Sequence, residues 1–283
     1  MIANFSKYIT KNFFHNPIFI VGLGRSGTTA LNNALENHPL IWSRHNESPL
    51  VNIIGKVVHR IEFEGSKDFI QSSLNISKEY LYDSLRKLCF ESVLGKNYGF
   101  TTLWGNFLRR DISILKKRYW CTKTFPLHDA SNGLIFLYPK ARFVYIVRNG
   151  LEVVQSMTKH HSFRDWGFSK HCEVWANLIE KYYYLLSFDQ AIHVRHEKLV
   201  SDTDIIFRQI SDFLNIRYHD GPAKYLKSNI IHPLDEQTRE NTDVAKIFKE
   251  RKPPYESWSS EQKEIFRRIC GDAMQKMNYE IPF

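Results

Sequence analysis

The sequence predicts an α/β fold, a three-layer sandwich with a central parallel sheet, and three observations carry that reading. Apolar runs of strand length alternate along the chain with stretches of helical periodicity. A glycine-rich turn, GLGRSGTT, follows the first of these runs. The later runs end in basic residues: Lys123, Arg148 and the pair Arg195 and His196. Such alternation implies βαβ units whose parallel strands are covered by helices on both faces.

Strands are predicted at Ile18 to Val21, Tyr119 to Cys121, Arg142 to Val147 and Ala191 to Val194. Helical periodicity covers Ala30 to Glu36, Lys78 to Leu94, Leu127 to Leu137, Leu151 to Lys159, Ser169 to Phe188, Asp204 to Leu214 and Ser259 to Met277. Between the last two, His219 to Trp258 contains Pro222, Pro233, Pro253 and Pro254 and has weak periodicity, so residues 219–258 are expected to form a cover loop. Residues 1–16 are read as an N-terminal extension. With no composition shift to divide them, all 283 residues are assigned to one domain.

A hydrophobic content of 43% with 24% charged residues is that of an ordinary globular chain. The formal charge of +9 favours an anionic partner: nucleic acid, a membrane surface, an acidic glycan or a phosphorylated cofactor. The densest basic clusters are Lys116 to Arg118 and Lys249 to Lys252; otherwise the cations are dispersed. Cys89, Cys121, Cys172 and Cys270 lack metal-ligand spacing, so reduced thiols, no metal site and a cytoplasmic protein are expected. The start of the chain has no continuous apolar signal region, and Ile18 to Leu23 falls far below the roughly 20 residues of a membrane span.

The first turn places Gly22 and Gly27 at the spacing of GxxxxGK[ST], which makes the sandwich one of the P-loop-containing nucleotide-binding type. Backbone N–H groups in such a turn, continued by a helix N-terminus, form an anion site. Hydroxyls of Ser26, Thr28 and Thr29 add donors, and Arg25 adds charge. Thr28, however, stands where that motif has its lysine. A nucleoside triphosphatase also needs an acid at a strand end for Mg²⁺, and here the strand ends are basic. The protein thus supplies positive charge where a triphosphatase supplies metal. Ser156 lies eight residues beyond Arg148, close to two helical turns of about seven residues, so the two can share a second anion. Two anion sites at neighbouring strand ends suit a nucleotide with phosphates at two separate positions.

PIFIVGLGRSGTTALNNALENHP, followed by CTKTFPLHDASNGLIFLYPKARFVYIVRNGLEVVQSM, resembles the sulfotransferases that use 3'-phosphoadenosine 5'-phosphosulfate (PAPS). The pattern is nearest to the branch containing tyrosylprotein sulfotransferases and bacterial relatives. CEVWANLIEKYY, VRHEKLVSDTDIIFRQISDFLNI and YESWSSEQKEIFRRICGDAMQKMNYE resemble later segments of that family, so the likeness runs from Pro17 onward and is weakest over Val51 to Arg118. It implies that the amides of Gly24, Arg25, Ser26, Gly27, Thr28 and Thr29, with the Arg25 side chain, bind the 5' end of the donor. By the same likeness Arg148 and Ser156 bind the 3'-phosphate, and Lys123 stabilises the sulfuryl group and the leaving phosphate, a role usually worth the largest share of catalysis. The products would be a sulfated hydroxyl and the 3',5'-bisphosphate, PAP.

The family branch uses a glutamate as base shortly after the first helix, and Glu47 in ENHPLIWSRHNESPL is the match, offset by one residue. His45 is the rival base, since its ordinary pKa suits proton abstraction. The sequence departs from the tyrosylprotein branch at His160, where that branch has arginine, and at His196, where it has tyrosine; both are expected to face the nucleotide. Asn241, Arg251 and Lys252 are placed by position alone as further contacts to the 3'-phosphate or adenine. For the acceptor, Phe63, Phe69, Trp104, Phe107 and Trp166 are candidates to line a pocket for an apolar alcohol or to stack on sugar. A glycan, a lipid or steroid alcohol, a phenol and a peptide tyrosine all stay open, as does a homodimer. Two rival classes are a P-loop kinase or triphosphatase acting on a small molecule, and a non-catalytic polyanion binder. The polyanion binder would need a basic stripe with interleaved aromatics, and no nucleic-acid partner is expected.

Overall fold

The computed structural model describes residues 14–43, 48–64, 76–94, 116–124, 128–163, 165–228 and 253–283. Its centre is a five-stranded parallel sheet: β1 (Pro17–Val21), β2 (Ile41–Ser43), β3 (Tyr119–Thr124), β4 (Arg142–Val147) and β5 (Ala191–Arg195), in the order β2-β3-β1-β4-β5. β1 lies between β3 and β4, with Ile20 beside Lys123 on one side and Val144 on the other. Strand order reverses there, and open α/β sheets bind ligands in the crevice beyond the strand ends at such a point.

Every residue of β1 is buried, and its alternate side chains enter two different cores. Phe19 and Val21 pack with Trp120, Phe143 and Tyr145 under α2 (Pro49–Phe63), α3 (Lys78–Leu94), α4 (His128–Leu137), α5 (Gly150–Lys159), α6 (Phe168–Tyr182) and the last helix. Ile18 and Ile20 pack with Val144 and Ile146 under α1 (Thr28–Glu36), α7 (His196–Ser201), α8 (Thr203–Phe213) and α9 (Gly221–Ser228). These are the three layers the alternation predicts. The last helix, α10 (Ser260–Lys276), starts in a capping box: Ser259 Oγ accepts from the Gln262 amide, and the Gln262 side chain accepts from the Ser259 amide.

Several elements differ from the sequence reading. β2 and α2 were not anticipated, because a three-residue strand has no measurable alternation and α2 falls where the family likeness fades. The helix expected to run to Phe188 changes at Tyr183 into a 3-10 turn, Tyr183–Ser187. The expected cover loop is partly regular: α9 begins at Gly221 and packs Ala223 and Leu226 into the core, and Pro254–Ser257 forms a 3-10 turn. Proline there starts a helix rather than preventing one, since Pro222 sits in the first turn, where no N–H is needed. At the other end of the chain, Phe14 packs on Phe90 and its carbonyl accepts from the Trp120 indole N–H at 3.1 Å, which ties the end of the extension to the sheet.

Candidate anion-binding and transfer site

The turn between β1 and α1 is held by its own backbone. The Ser26 amide donates to the Leu23 carbonyl at 3.1 Å, and Arg25 and Gly27 both adopt positive φ, 74° and 91°. Gly27 is required twice over, because a Cβ there would also lie 2.5 Å from His196 Cδ2. α1 starts at Thr28 with no side-chain cap and no acid in its first turn. Its first amides therefore keep their attraction for an external anion.

Three cations approach this helix end from three strands. Lys123, the penultimate residue of β3, donates from Nζ to Thr29 Oγ1 at 3.0 Å and is buried. Arg148 follows β4 directly; its Nη1 donates to the Arg25 carbonyl at 3.1 Å and its Nη2 to Glu152 Oε2 at 2.9 Å. The Arg148 carbonyl accepts from the Trp175 indole at 3.2 Å, so its backbone is fixed as well. Arg25 donates its Nε–H to Ser156 Oγ at 3.0 Å. Burial, and then the charge of Arg148, hold the Arg25 pKa below its usual value. Two guanidinium groups in such proximity favour an anionic ligand between or beside them.

Arg148 and Ser156, expected to share an anion, are linked through Arg25, whose carbonyl accepts from Arg148 and whose Nε–H donates to Ser156. His196 lies under the turn and is only 8% exposed; burial, followed by the Arg148 charge, drives its pKa down to about 3. It is a neutral imidazole at neutral pH and adds no charge to the site. His160 closes α5; its ring stacks on His161 at 4.3 Å and its Nδ1 accepts from the Ser162 amide. Beyond it Phe163 reaches the turn between β1 and α1, since a Cβ on Gly24 would lie 3.3 Å from Phe163 Cζ. Trp166 packs edge-on against Phe163, and His171 Nε2 bonds the Phe163 carbonyl at 2.9 Å.

Other candidates lie elsewhere. Phe63 is at the far end of the 15-residue α2, roughly 20 Å from the helix start that faces the strand ends, and it contacts Phe136. Arg195, expected among the strand-end cations, turns away: Nη2 donates to the carbonyls of Met277 and Asn278, and the guanidinium covers the Tyr279 ring. Glu47, His45, Asn241, Arg251, Lys252, Phe69, Trp104 and Phe107 lie outside the described residues.

Sequence reasoning passed over Glu152, Gln155 and Phe163. Glu152 had a visible signal, its i,i+4 spacing from Arg148 on a helix start. Gln155 accepts from the Trp258 indole at 2.6 Å, so the residue before Ser156 anchors the returning C-terminal segment. Nothing local marks either Gln155 or Phe163. All four cysteines are buried, and among the described residues no three His, Cys, Asp or Glu side chains are grouped to hold a metal ion. No helix among the described residues is long and apolar enough to cross a membrane.

A parallel sheet reversing at β1, an uncapped helix end and three cations beside it define an α/β protein with a positively charged crevice at its strand ends. The model of the sulfotransferase family matches residues 17–220, and the chain belongs to that family. It is 23% identical over 211 residues to a protein-tyrosine sulfotransferase of Drosophila melanogaster, covering 72% of this chain and 39% of that protein. An uncharacterized protein of Aquifex aeolicus is 20% identical over 231 residues, 75% of this chain and 27% of its own length. The chain thus spans well under half of these curated relatives. Among solved structures, the sulfotransferase domain from the curacin biosynthetic pathway superposes with a TM-score of 0.54 at 17% identity, over 94% of this chain and 98% of that domain. Mouse sulfotransferase SULT7A1, solved in complex with PAP, gives 0.50 at 16% identity, over 94% and 89%. Identities this low speak for the fold.

Proposed function

We propose that this protein transfers a sulfuryl group from PAPS to a hydroxyl of an acceptor. The observation that carries the reading is the convergence of Lys123, Arg25 and Arg148 on the uncapped start of α1. Similarity to a sulfotransferase solved with PAP supports the choice of donor. PAPS would supply an activated sulfuryl group whose leaving phosphate carries negative charge.

The residues of this chain fit that chemistry. The amides of residues 24–29 and the Arg25 guanidinium would bind the 5' end, while Arg148, with Ser156, would bind the 3'-phosphate. Lys123 is already held at the helix start by Thr29, so it can neutralise developing charge without rearranging first. Glu47 is proposed as the base that takes the acceptor proton, with His45 as the alternative; Asn241, Arg251 and Lys252 are proposed nucleotide contacts. The acceptor is a glycan, a lipid or steroid alcohol, a phenol or a peptide tyrosine. The kinase or triphosphatase reading receives no support from the strand ends, which are Val21, Ser43, Thr124, Val147 and Arg195, none of them an acid.

Calorimetry tests the proposal. PAP should bind in the presence of EDTA, and Arg148→Ala should weaken it by about tenfold or more. Lys123→Ala should leave PAP affinity within a few-fold and lower sulfuryl transfer by about 10²–10³, read across a panel of one phenol, one sugar, one alcohol and one tyrosyl peptide. Binding of ATP with Mg²⁺ but not of PAP would overturn the reading.

A further inference from the structure

Arg148 has a resident carboxylate partner. Its Nη2 lies 2.9 Å from Glu152 Oε2, with the two side chains only 10% and 24% exposed. Nη1 of the same guanidinium donates to the Arg25 carbonyl, and Arg25 in turn binds Ser156. Among the described residues, the charged and titratable groups beside Arg148 include, besides Glu152, Arg25, the neutral His196, and Glu197, which accepts from the amide of Asn149 next to Arg148. Glu197 also accepts from the Tyr279 hydroxyl, and among the described residues Glu152 is an acid in direct contact with the Arg148 guanidinium.

We infer that Glu152 is a built-in counter-ion that orients Arg148 before nucleotide arrives and competes with the nucleotide phosphate once it has bound. The inference rests on the proposal that Arg148 binds a phosphate. Two guanidinium groups brought together away from water repel each other unless an anion is present, and a carboxylate one helical turn away supplies it. A phosphate at Arg148 then meets a second negative charge, that of Glu152 in the first turn of α5, four residues further along the chain. The same contact that preforms the site therefore weakens the bound state and hastens release of PAP.

Glu152→Gln separates the two effects, since the amide oxygen can still accept from Arg148 while the charge is gone. The variant should bind PAP about tenfold more tightly, mostly through slower dissociation in stopped-flow displacement, and its nucleotide-free form should unfold at lower temperature. Glu152→Ala, which loses orientation as well, should bind more weakly than Glu152→Gln. In an Arg148→Ala background the Gln substitution should change nothing. PAP binding by Glu152→Gln equal to or weaker than that of the parent protein overturns the inference. Failure of Arg148→Ala to weaken PAP binding would instead remove the phosphate assignment on which it rests. Should Glu152→Gln not fold, Glu152→Asp keeps the charge but withdraws it, and it must still bind PAP more tightly than the parent for the inference to stand.

Discussion

Arg25, in the turn after β1, donates its Nε–H to Ser156 on α5 at 3.0 Å, joining residues 131 positions apart in the chain. The bond holds a non-glycine residue at a φ of 74°, a conformation that costs of order 1 kcal/mol when unsupported. It also fixes the guanidinium against α5. Ser156→Ala should remove a bond worth about 1.5–3 kcal/mol to a charged donor, of which the solvated arginine recovers a part. The expected outcome is a three- to tenfold loss of PAP affinity by calorimetry, with the circular dichroism spectrum unchanged.

His196 makes stability depend on pH. Its folded pKa of about 3 lies below the ordinary 6.5, so between these values the unfolded chain binds a proton that the folded chain refuses. Stability therefore rises with pH across that window and is lost as the solution is acidified from 6.5 towards 3, with a slope of at most about 1.4 kcal/mol per unit from this group. Urea unfolding of the parent protein and of His196→Asn, compared between pH 6.5 and 4.5, should show the steeper dependence in the parent. Parallel curves would mean that the imidazole is protonated in place.

Two glycines should respond oppositely to alanine. A Cβ on Gly133 of α4 would lie 1.8 Å from the Gly55 carbonyl oxygen and 2.8 Å from the His59 amide of α2, all rigid backbone. Gly133→Ala should cost about 3 kcal/mol or more by forcing the two helices apart. Gly271 of α10 has nothing within 4 Å of its missing Cβ, and there alanine should gain about 0.5–1 kcal/mol. Thermal unfolding of both variants measures the contrast.

The legible parts of this molecule share a physical character. β1 and β4 are continuous apolar runs because both their faces are covered, and such runs stand out in any sequence. The glycine-rich turn is equally readable, since a tight turn into a helix start restricts residue type at each position. β2 escaped notice because it takes its place only by pairing with β3.

Sequence by itself determined the layer architecture, the turn with threonine where lysine would stand, and the basic residues at Lys123 and Arg148. These follow from local periodicity and from backbone sterics, which act within a few residues. Only the tertiary structure decided that Arg25 bridges to Ser156 and Arg148, that His196 lies neutral beneath Gly27, and that Phe163 closes on Gly24. Those contacts join residues far apart in the chain, and their energies depend on burial and distance, quantities that exist only once the sheet has brought its strand ends together.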